Sequence, residues 1–458
     1  MLNWEQLLNG QRRKDRHGTG STVLSANGRV ELERDYDRIL FATPTRRMGD
    51  KTQVFPLERN DSVRNRLTHS HEVSSLARSI GIRLAFDFRT EIFGDDSGKD
   101  IERCVPALLA AIGLAHDLGN PPFGHQGEKA IQNWFKRNEV KVFGEHNHTD
   151  SQDFLGFDGN AQTFRLVTRL QILNDTFGLN LTYATLASML KYPVSNRQVQ
   201  SLGWKKAGYF QSEQAIVEDV WQQTGLSEGI RHPFTFVMEA CDDIAYIVLD
   251  AEDIVKKDIA SFSDIVDHLN HMNPDDALTQ SVLSAAKSKN KEFKNAGLSP
   301  KELNDVSMQM FRVYAISAMV KAILDSLVTD IKQIMLGQTP AGYTLLDSSE
   351  AAQFCAAMRK FDYVHGYRHK SVLELELRGN NYISNIMDML WVGISHEGQD
   401  NLFAQYAFQR ISENYRRIYT ESEMSDNYRK AQLLADAVSG MTDSYLIYLH
   451  DELKNLHG

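Results

Sequence analysis

Residues 114–130 read LAHDLGNPPFGHQGEKA and place four ionisable side chains directly after an apolar run. His116 and Asp117 stand side by side at a predicted helix end, where an imidazole and a carboxylate can supply two ligands to one divalent cation. After the Pro-Pro turn, His125 and Glu128 are three residues apart and share a face if a helix resumes there. Such a pair can act as a general acid or base, and a surface His beside a helix-start Glu is the simpler alternative.

The segments around this stretch have the apolar spacing of amphipathic helices. Apolar residues recur at i, i+3, i+4 and i+7 over 62–82, 106–118, 233–255 and 311–335, which predicts an all-α, mainly helical fold. The exception is SVLELEL at 371–377, where Leu alternates with Glu before a turn sequence. This alternation predicts a small β element on the helical body.

Length and composition indicate a globular chain of 458 residues. We expect an N-terminal arm at 1–30, a catalytic region at 31–260 and a helical C-terminal region at 261–458. The three cysteines form no CxxC spacing, and no signal peptide or membrane-spanning run is recognisable, which favours a cytoplasmic protein without membrane contact. The net charge of −10 argues against attraction of nucleic acid to the whole surface.

Two further segments carry polar side chains on otherwise apolar predicted helices. His69 follows Arg66 by one turn, so the arginine could lie beside an anion held at a metal. In MEACDDIAYIVLDAED, Asp242, Tyr246 and Asp250 recur every four residues and form one stripe. An unpaired buried carboxylate is costly, so Asp242 needs a partner, and either a metal ion or a salt bridge to an arginine would satisfy it.

Together these segments offer two imidazoles and two carboxylates from three predicted helices, namely His69, His116, Asp117 and Asp242. Mixed nitrogen and oxygen ligation suits Mn, Fe, Mg, Zn or Ni, so the pattern predicts one divalent metal without settling which. A metal with an open coordination position would activate water and polarise a phosphoryl oxygen, while His125 and Glu128 move protons. The residues therefore predict a hydrolytic reaction at phosphorus.

The order of these elements resembles that of the HD-domain phosphohydrolases. Several longer motifs are similar to those of the deoxyguanosinetriphosphate triphosphohydrolase (dGTPase) family. They are RRMGDKTQVFPLERNDSVRNRLTHSHEV (46–73), AHDLGNPPFGHQGEKAI (115–131), FDGNAQTFRLVTRL (157–170), RHPFTFVMEACDDIAYIVLDAED (231–253) and SGMTDSY (439–445). Because several long motifs occur in the same order, the resemblance is more specific than a single HD doublet.

This resemblance implies a metal-dependent enzyme that hydrolyses dGTP, or other dNTPs, to deoxynucleoside and inorganic triphosphate by water attack at the α-phosphorus. The implied metal ligands are the four residues named above, with Mn²⁺ or Mg²⁺ as the first expectation. His125 and Glu128 are implied to assist hydrolysis, and Arg66, Lys191 and Tyr192 match phosphate-binding positions. The alternatives are an HD-type phosphodiesterase or phosphatase for another nucleotide, and a nucleotide-sensing regulator that binds nucleic acid.

The resemblance also has implications for the sugar and for assembly. Gln53 and Asp250 match residues at the deoxyribose 3′-hydroxyl, and Tyr246 matches a tyrosine that packs against the sugar. The C-terminal region at 261–458 is expected to complete the active site and to form oligomer interfaces, commonly in a hexamer built as a trimer of dimers. Regulation by single-stranded DNA or by an allosteric nucleotide is a further expectation.

Overall fold

Helices make up the architecture of the protein. The computed structural model describes residues 1–18, 28–94, 100–145, 148–171, 176–396 and 400–456. Within those ranges, β structure is limited to isolated bridges, such as that between Thr52 and Asn65. The all-α prediction is confirmed. In the described part of the chain, no helix combines the length and the apolar character that spanning a lipid bilayer requires.

The helices are numbered in chain order. Their bounds are α1 Trp4–Leu7, α2 Arg13–His17, α3 Glu31–Leu40, α4 Thr43–Arg47, α5 Arg66–Phe86, α6 Arg89–Phe93, α7 Ile101–Ala115, α8 Gly124–Arg137, α9 Glu139–Phe143, α10 His148–Leu155, α11 Gly159–Arg165, α12 Tyr183–Met189, α13 Gln214–Thr224, α14 Pro233–Lys256, α15 Phe262–Met272, α16 Ala277–Asn295, α17 Pro300–Met335, α18 Ala352–Asp362, α19 Lys370–Ser395, α20 Leu402–Gln409, α21 Glu413–Glu421, α22 Asp426–Ser439 and α23 Asp443–Leu456. Short 3₁₀ segments occupy Met48–Asp50 and Gln211–Glu213, and single π turns occupy Leu166–Leu170 and Tyr363–Tyr367.

The first half is built around α5, α7 and α14, which pack against one another. The sequence of α7 is apolar along most of its length, and most of the helix is accordingly buried. Gly113 lets α7 approach α5 closely, because a Cβ at this position would lie 2.9 Å from the Cα of Ser74. This approach brings His69 of α5 opposite His116, which follows the last residue of α7.

The prediction of a β element at 371–377 is wrong, because this stretch forms the beginning of α19. Leu and Glu are strong helix formers, and no β-branched residue occurs between Leu373 and Leu377 to favour a strand. Gly379 and Ile383 are buried one turn apart, whereas Leu377 is 66 % exposed. The alternation of Leu and Glu therefore lies on a partly exposed helix and not on a β-strand.

Segments far apart in sequence pack on this body. Leu7 of α1 is fully buried, and its carbonyl oxygen lies 3.1 Å from Nε2 of His232, the residue that caps α14. In the second half, α17 packs along α14, and α19 packs against α8, α22 and α23. Helices of the second half therefore contact the helices that carry the predicted site residues.

Arg165 of α11 is a buried cation that holds two distant segments together. Its guanidinium pairs with Glu213 and Asp436, each at 2.7 Å. Replacing it with methionine leaves two buried carboxylates without their principal cation, and we expect the free energy of unfolding to fall by about 3–5 kcal/mol. Arg169 is the matched control, because its side chain is half-exposed and lies 3.9 Å from Glu213. We expect Arg169→Met to cost less than about 1 kcal/mol, and equal losses in calorimetric melts would contradict the argument.

Candidate functional site

Three helical segments bring the predicted metal ligands together. Ligand atoms of His69, His116 and Asp117 all lie within 4.8 Å of one another. Asp242 of α14 adds Oδ1, which lies 3.2 Å from His69 Nε2 and 3.3 Å from His116 Nε2. Lys191 lies 4.0 Å from Asp242, and the ion pairs of the described residues include no arginine partner for this carboxylate. The four side chains form a candidate site for a divalent cation.

The hydrogen bonds around this cluster suit metal ligation. His116 Nδ1 lies 2.8 Å from the carbonyl oxygen of Gly113, which orients the ring and directs Nε2 toward the carboxylates. Nε2 is buried and lies 3.3 Å from Asp242 Oδ1 and 3.5 Å from Asp117 Oδ2. Asp117 accepts a hydrogen bond from Asn120 Nδ2 at 2.6 Å and pairs with Arg66. These nitrogen and oxygen donors fit a divalent ion.

Electrostatic interactions in the cluster favour a positive charge at its centre. Burial alone would lower the pKa of His116, but the carboxylates of Asp117 and Asp242 outweigh burial and raise this pKa to about 9. Burial would raise the pKa of Asp117, yet Arg66 and His116 lower it to about 2. The pKa of Asp242 is likewise held well below its usual value, because His116 outweighs burial. Two ionised carboxylates therefore face the imidazoles, as a cation site requires.

The pair of His125 and Glu128 lies near the N-terminus of α8. His125 Nδ1 is 2.9 Å from Glu128 Oε2, and the imidazole is 73 % exposed whereas the carboxylate is 7 % exposed. Glu128 Oε1 accepts a hydrogen bond from the backbone N–H of Gly159 at 2.7 Å. Burial would raise the pKa of Glu128, but His125 and Lys206 lower it, so the carboxylate stays ionised. Glu128 is therefore placed to orient the imidazole.

The metal-ligand cluster, through His116, Asp117 and Asp242, and the pair of His125 and Glu128 face one cavity of about 620 Å³. Its lining includes Arg66, Lys191 and Lys206, three cations that suit an anionic ligand, and Tyr192 lies next to Lys191. Lys206 Nζ is 3.8 Å from Glu128, so one of these cations lies beside the acid/base pair. The cavity combines metal-binding, proton-transferring and anion-binding groups.

Aromatic rings form another part of the cavity. Tyr246 of α14 stacks on Tyr367, with ring centroids 5.7 Å apart and an angle of 10° between the planes. The Tyr367 hydroxyl donates a hydrogen bond to Oδ2 of the buried Asp250. Gln53 also lines the cavity, and its buried Oε1 and Asp250 Oδ1 both lack a hydrogen-bond partner among the residues that the structure describes. A buried acceptor without a partner calls for a donor, and at Gln53, which lines the cavity, a ligand or water could supply it.

The structure brings the predicted site residues to one region. All of them line the cavity except His69 and Asp250, which are buried and contact the lining residues Asp242 and Tyr367. Sequence reasoning gave no role to Asn120, Lys206 and Tyr367, which contact predicted site residues in this region. Asn120 lies three residues after Asp117, and this spacing could have indicated their contact. For Lys206 and Tyr367 the sequence carries no comparable local signal.

Lys51 is a buried amine beside the site. Its Nζ donates to the carbonyl oxygens of Asn120, at 2.6 Å, and Ser439, at 2.9 Å. Burial, together with Arg66, lowers the pKa of Lys51 to about 7, although Asp443 opposes the shift.

This lowered pKa predicts how stability depends on pH. Between about pH 7 and the ordinary lysine pKa of about 10.4, the unfolded chain binds a proton that the folded chain lacks. We therefore expect the wild-type protein to gain stability relative to Lys51→Met as the pH rises from 7 to 9.5. Melting temperatures of both proteins across this range test the expectation, and a constant or falling difference would contradict it.

Comparison with known protein families agrees with this geometry. The HD domain family matches residues 66–152, which include His69, His116 and Asp117. The phosphohydrolase-associated domain family matches residues 347–452, which include Tyr367. HD domains bind divalent metals, and the cluster described above could hold one. The helical fold and this site define the protein as a hydrolase of the HD phosphohydrolase class.

Individual relatives narrow this class. A deoxyguanosinetriphosphate triphosphohydrolase-like protein of Listeria monocytogenes is 33 % identical over 474 residues, covering 99 % of this chain and all of the relative. A deoxyguanosinetriphosphate triphosphohydrolase of Serratia proteamaculans is 30 % identical over 490 residues, covering 93 % of each chain. A deoxyguanosinetriphosphate triphosphohydrolase-like protein of Pseudomonas aeruginosa is 39 % identical over 278 residues, covering 58 % of this chain and 60 % of the relative. The chain belongs to the deoxyguanosinetriphosphate triphosphohydrolase family.

Proposed function

We propose that the protein is a metal-dependent dNTP triphosphohydrolase that converts dGTP to deoxyguanosine and inorganic triphosphate. Other dNTPs are proposed as secondary substrates. The observation that carries the proposal is the occurrence of the metal-ligand cluster and the His125–Glu128 pair in one cavity with cationic walls. The names of the relatives support dGTP as the substrate. The proposed metal is Mn²⁺ or Mg²⁺, with Fe, Ni and Zn as further possibilities.

The metal-ligand cluster supplies one part of the chemistry. A divalent ion bound by His69, His116, Asp117 and Asp242 would polarise a phosphoryl oxygen and favour attack by water. Arg66, Lys191 and Lys206 are the cations that would neutralise the triphosphate, because all three face the cavity. The net negative charge of the whole chain does not oppose this local arrangement.

Proton transfer falls to His125 in this proposal. Because Nδ1 faces Glu128, Nε2 is the ring nitrogen that can give a proton to the departing 5′-oxygen of the substrate. Glu128 is itself fixed by the Gly159 N–H, so the imidazole is held in one orientation. The pair therefore acts as a general acid with an orienting carboxylate.

The aromatic part of the cavity is proposed to bind the sugar. Asp250 and Gln53 each present a buried, unpaired oxygen among the described residues, and a 3′-hydroxyl could donate to either of them. The stacked rings of Tyr246 and Tyr367 offer a flat apolar surface for deoxyribose. A ribonucleotide would have to fit its additional hydroxyl against this surface, so GTP is the informative comparison.

Product analysis tests the proposed function directly. The purified protein is incubated with Mn²⁺ and each of the four dNTPs, separately and mixed, and with GTP, and the products are resolved by anion exchange. We expect inorganic triphosphate and deoxynucleoside from dGTP and little product from GTP. Release of monophosphate or diphosphate would indicate a phosphodiesterase or phosphatase. Nucleotide binding without any product would indicate a regulator.

The domain organisation and assembly are also proposals. Tyr363, Tyr367, Leu373 and Glu376 line the cavity, which supports the idea that the region 261–458 completes an active site begun at 31–260. The same region is proposed to form the interfaces of a hexamer built from dimers. Light scattering after size-exclusion chromatography, with and without single-stranded DNA or a second dNTP, tests the assembly and its regulation.

A further inference from the structure

Asp443, the first residue of α23, joins two loops that carry proposed site residues. Its Oδ2 accepts hydrogen bonds from the backbone N–H of Thr52, at 3.0 Å, and from the Thr52 hydroxyl. Its Oδ1 accepts a hydrogen bond from the backbone N–H of Phe123, at 3.0 Å. Gln53 directly follows Thr52, and His125 follows Phe123 by two positions. A single buried carboxylate thus holds the backbone next to both residues.

Phe123 needs this support because its backbone conformation is unfavourable. Its φ of 59° lies in the left-handed region, which bulky residues rarely adopt. Gly124, with φ of 54°, follows it and begins α8. The Phe123 ring covers Gly379 of α19, where a Cβ would approach the ring to 2.5 Å. A strained residue persists only when its surroundings hold it, and the Asp443 hydrogen bond and this packing are those surroundings.

Lys51, a neighbour of Asp443, also holds the turn that precedes α8. Lys51 donates to the carbonyl oxygens of both Asn120 and Ser439, so it connects the end of α22 to the start of the Pro-Pro turn. Asp443 itself is buried and is not part of the cavity lining. Its hydrogen bonds to Thr52 and Phe123 are therefore the direct contacts that link Asp443 to residues of the cavity lining.

We propose that Asp443 is a positioning residue, which sets the orientation of Gln53 and His125 by holding the N–H groups of Thr52 and Phe123. The proposal rests on the proposed function insofar as it takes His125 as the proton donor. A carboxylate can accept on both oxygens, whereas an asparagine offers one carbonyl oxygen and one donor group. Asp443→Asn therefore keeps the size of the side chain and leaves one of the two backbone N–H groups unpaired.

The experiment compares Asp443→Asn with a matched control, Asp153→Asn. Asp153 is also a buried carboxylate that accepts from a backbone N–H, that of Gln211 at 2.7 Å, and from a hydroxyl, that of Tyr428 at 2.6 Å. Asp153 is not part of the cavity lining. We expect Asp443→Asn to lower kcat for dGTP by about 10- to 100-fold, and by more than KM rises, because small misplacements of reacting groups are costly. We expect Asp153→Asn to lower the melting temperature while kcat stays at the wild-type value.

A second measurement does not depend on activity. Hydrogen exchange followed by mass spectrometry is expected to show faster exchange in peptides covering 48–56 and 119–127 of Asp443→Asn than in wild-type protein or Asp153→Asn. Wild-type kcat in Asp443→Asn, or unchanged exchange in both peptides, overturns the proposal. If the wild-type protein releases no triphosphate, the proposed function fails, and exchange alone decides the positioning role.

A milder variant covers the case in which Asp443→Asn does not fold. Thr52→Val removes only the hydroxyl that donates to Asp443 and keeps the backbone N–H in place. We expect this variant to show a smaller fall in kcat and a smaller increase in exchange of the 48–56 peptide than Asp443→Asn. Wild-type values for both measurements in a folded Thr52→Val protein, with Asp443→Asn unfolded, would overturn the proposal.

Discussion

Replacing His125 with alanine is expected to lower kcat by about 10²- to 10⁴-fold, the range over which a positioned general acid or base accelerates a reaction. The bound metal is expected to stay at the wild-type level, because His125 does not belong to the group of converging ligand atoms. Turnover of dGTP is measured by anion exchange and metal content by atomic emission. Loss of metal together with activity would contradict a role limited to proton transfer.

Two companion variants sharpen this test. His71→Ala is the matched control, because His71 is an exposed histidine on α5, and we expect wild-type kcat. Glu128→Gln removes the charge that orients the imidazole, and we expect it to lower kcat by a smaller factor than His125→Ala. Because the pair acts as a unit, the double variant of His125 and Glu128 is expected to be no slower than His125→Ala alone. Additive losses would indicate two independent roles.

Replacing Asp242 with asparagine is expected to abolish metal binding and, with it, hydrolysis. Asp242 Oδ1 lies between the two imidazoles, and the neutral amide would weaken the attraction for a divalent ion at that point. A ligand that binds only the folded state stabilises it, by about 2.7 kcal/mol at a concentration 100-fold above its Kd. We therefore expect Mn²⁺ to raise the melting temperature of the wild-type protein but not that of Asp242→Asn.

The neighbouring carboxylate provides the control for this variant. Asp243 also lines the cavity, but it pairs with Arg359 at 2.9 Å, and among the described residues it forms no ion pair with His69 or His116. We expect Asp243→Asn to keep both the metal content and the Mn²⁺-dependent rise in melting temperature. Equal losses in the two variants would mean that Asp242 acts through the overall charge of the cavity and not as a ligand.

The grouping of the metal ligands and of the acid/base pair can be predicted from sequence because short-range spacing carries much of it. His116 and Asp117 are adjacent, His125 and Glu128 share a helix face, and the Asp242 stripe stands out against an apolar helix. The convergence of three helices is harder to read, because it depends on close packing such as the approach of α7 to α5 at Gly113. The chemistry of the four side chains suggested that they combine, and the resemblance to a known family implied the same set.

The errors and omissions have a different physical origin. A two-residue alternation of Leu and Glu mimics a strand, and at 371–377 the helix propensity of both residues outweighs the pattern. Lys206 and Tyr367 reach the cavity from segments whose sequences carry no local signal of it. Their role depends on tertiary packing, which a single sequence does not encode in any short motif.

The stack of Tyr246 on Tyr367, together with the hydrogen bond from Tyr367 to Asp250, joins α14 to the π turn before α19. A genetic crossover between codons 250 and 367 would combine the carboxylate of one parent with the ring of another. Hybrids of diverged relatives would then carry mismatched halves of one pocket. We therefore expect hybrids joined inside this interval to lose activity more often than hybrids joined outside it.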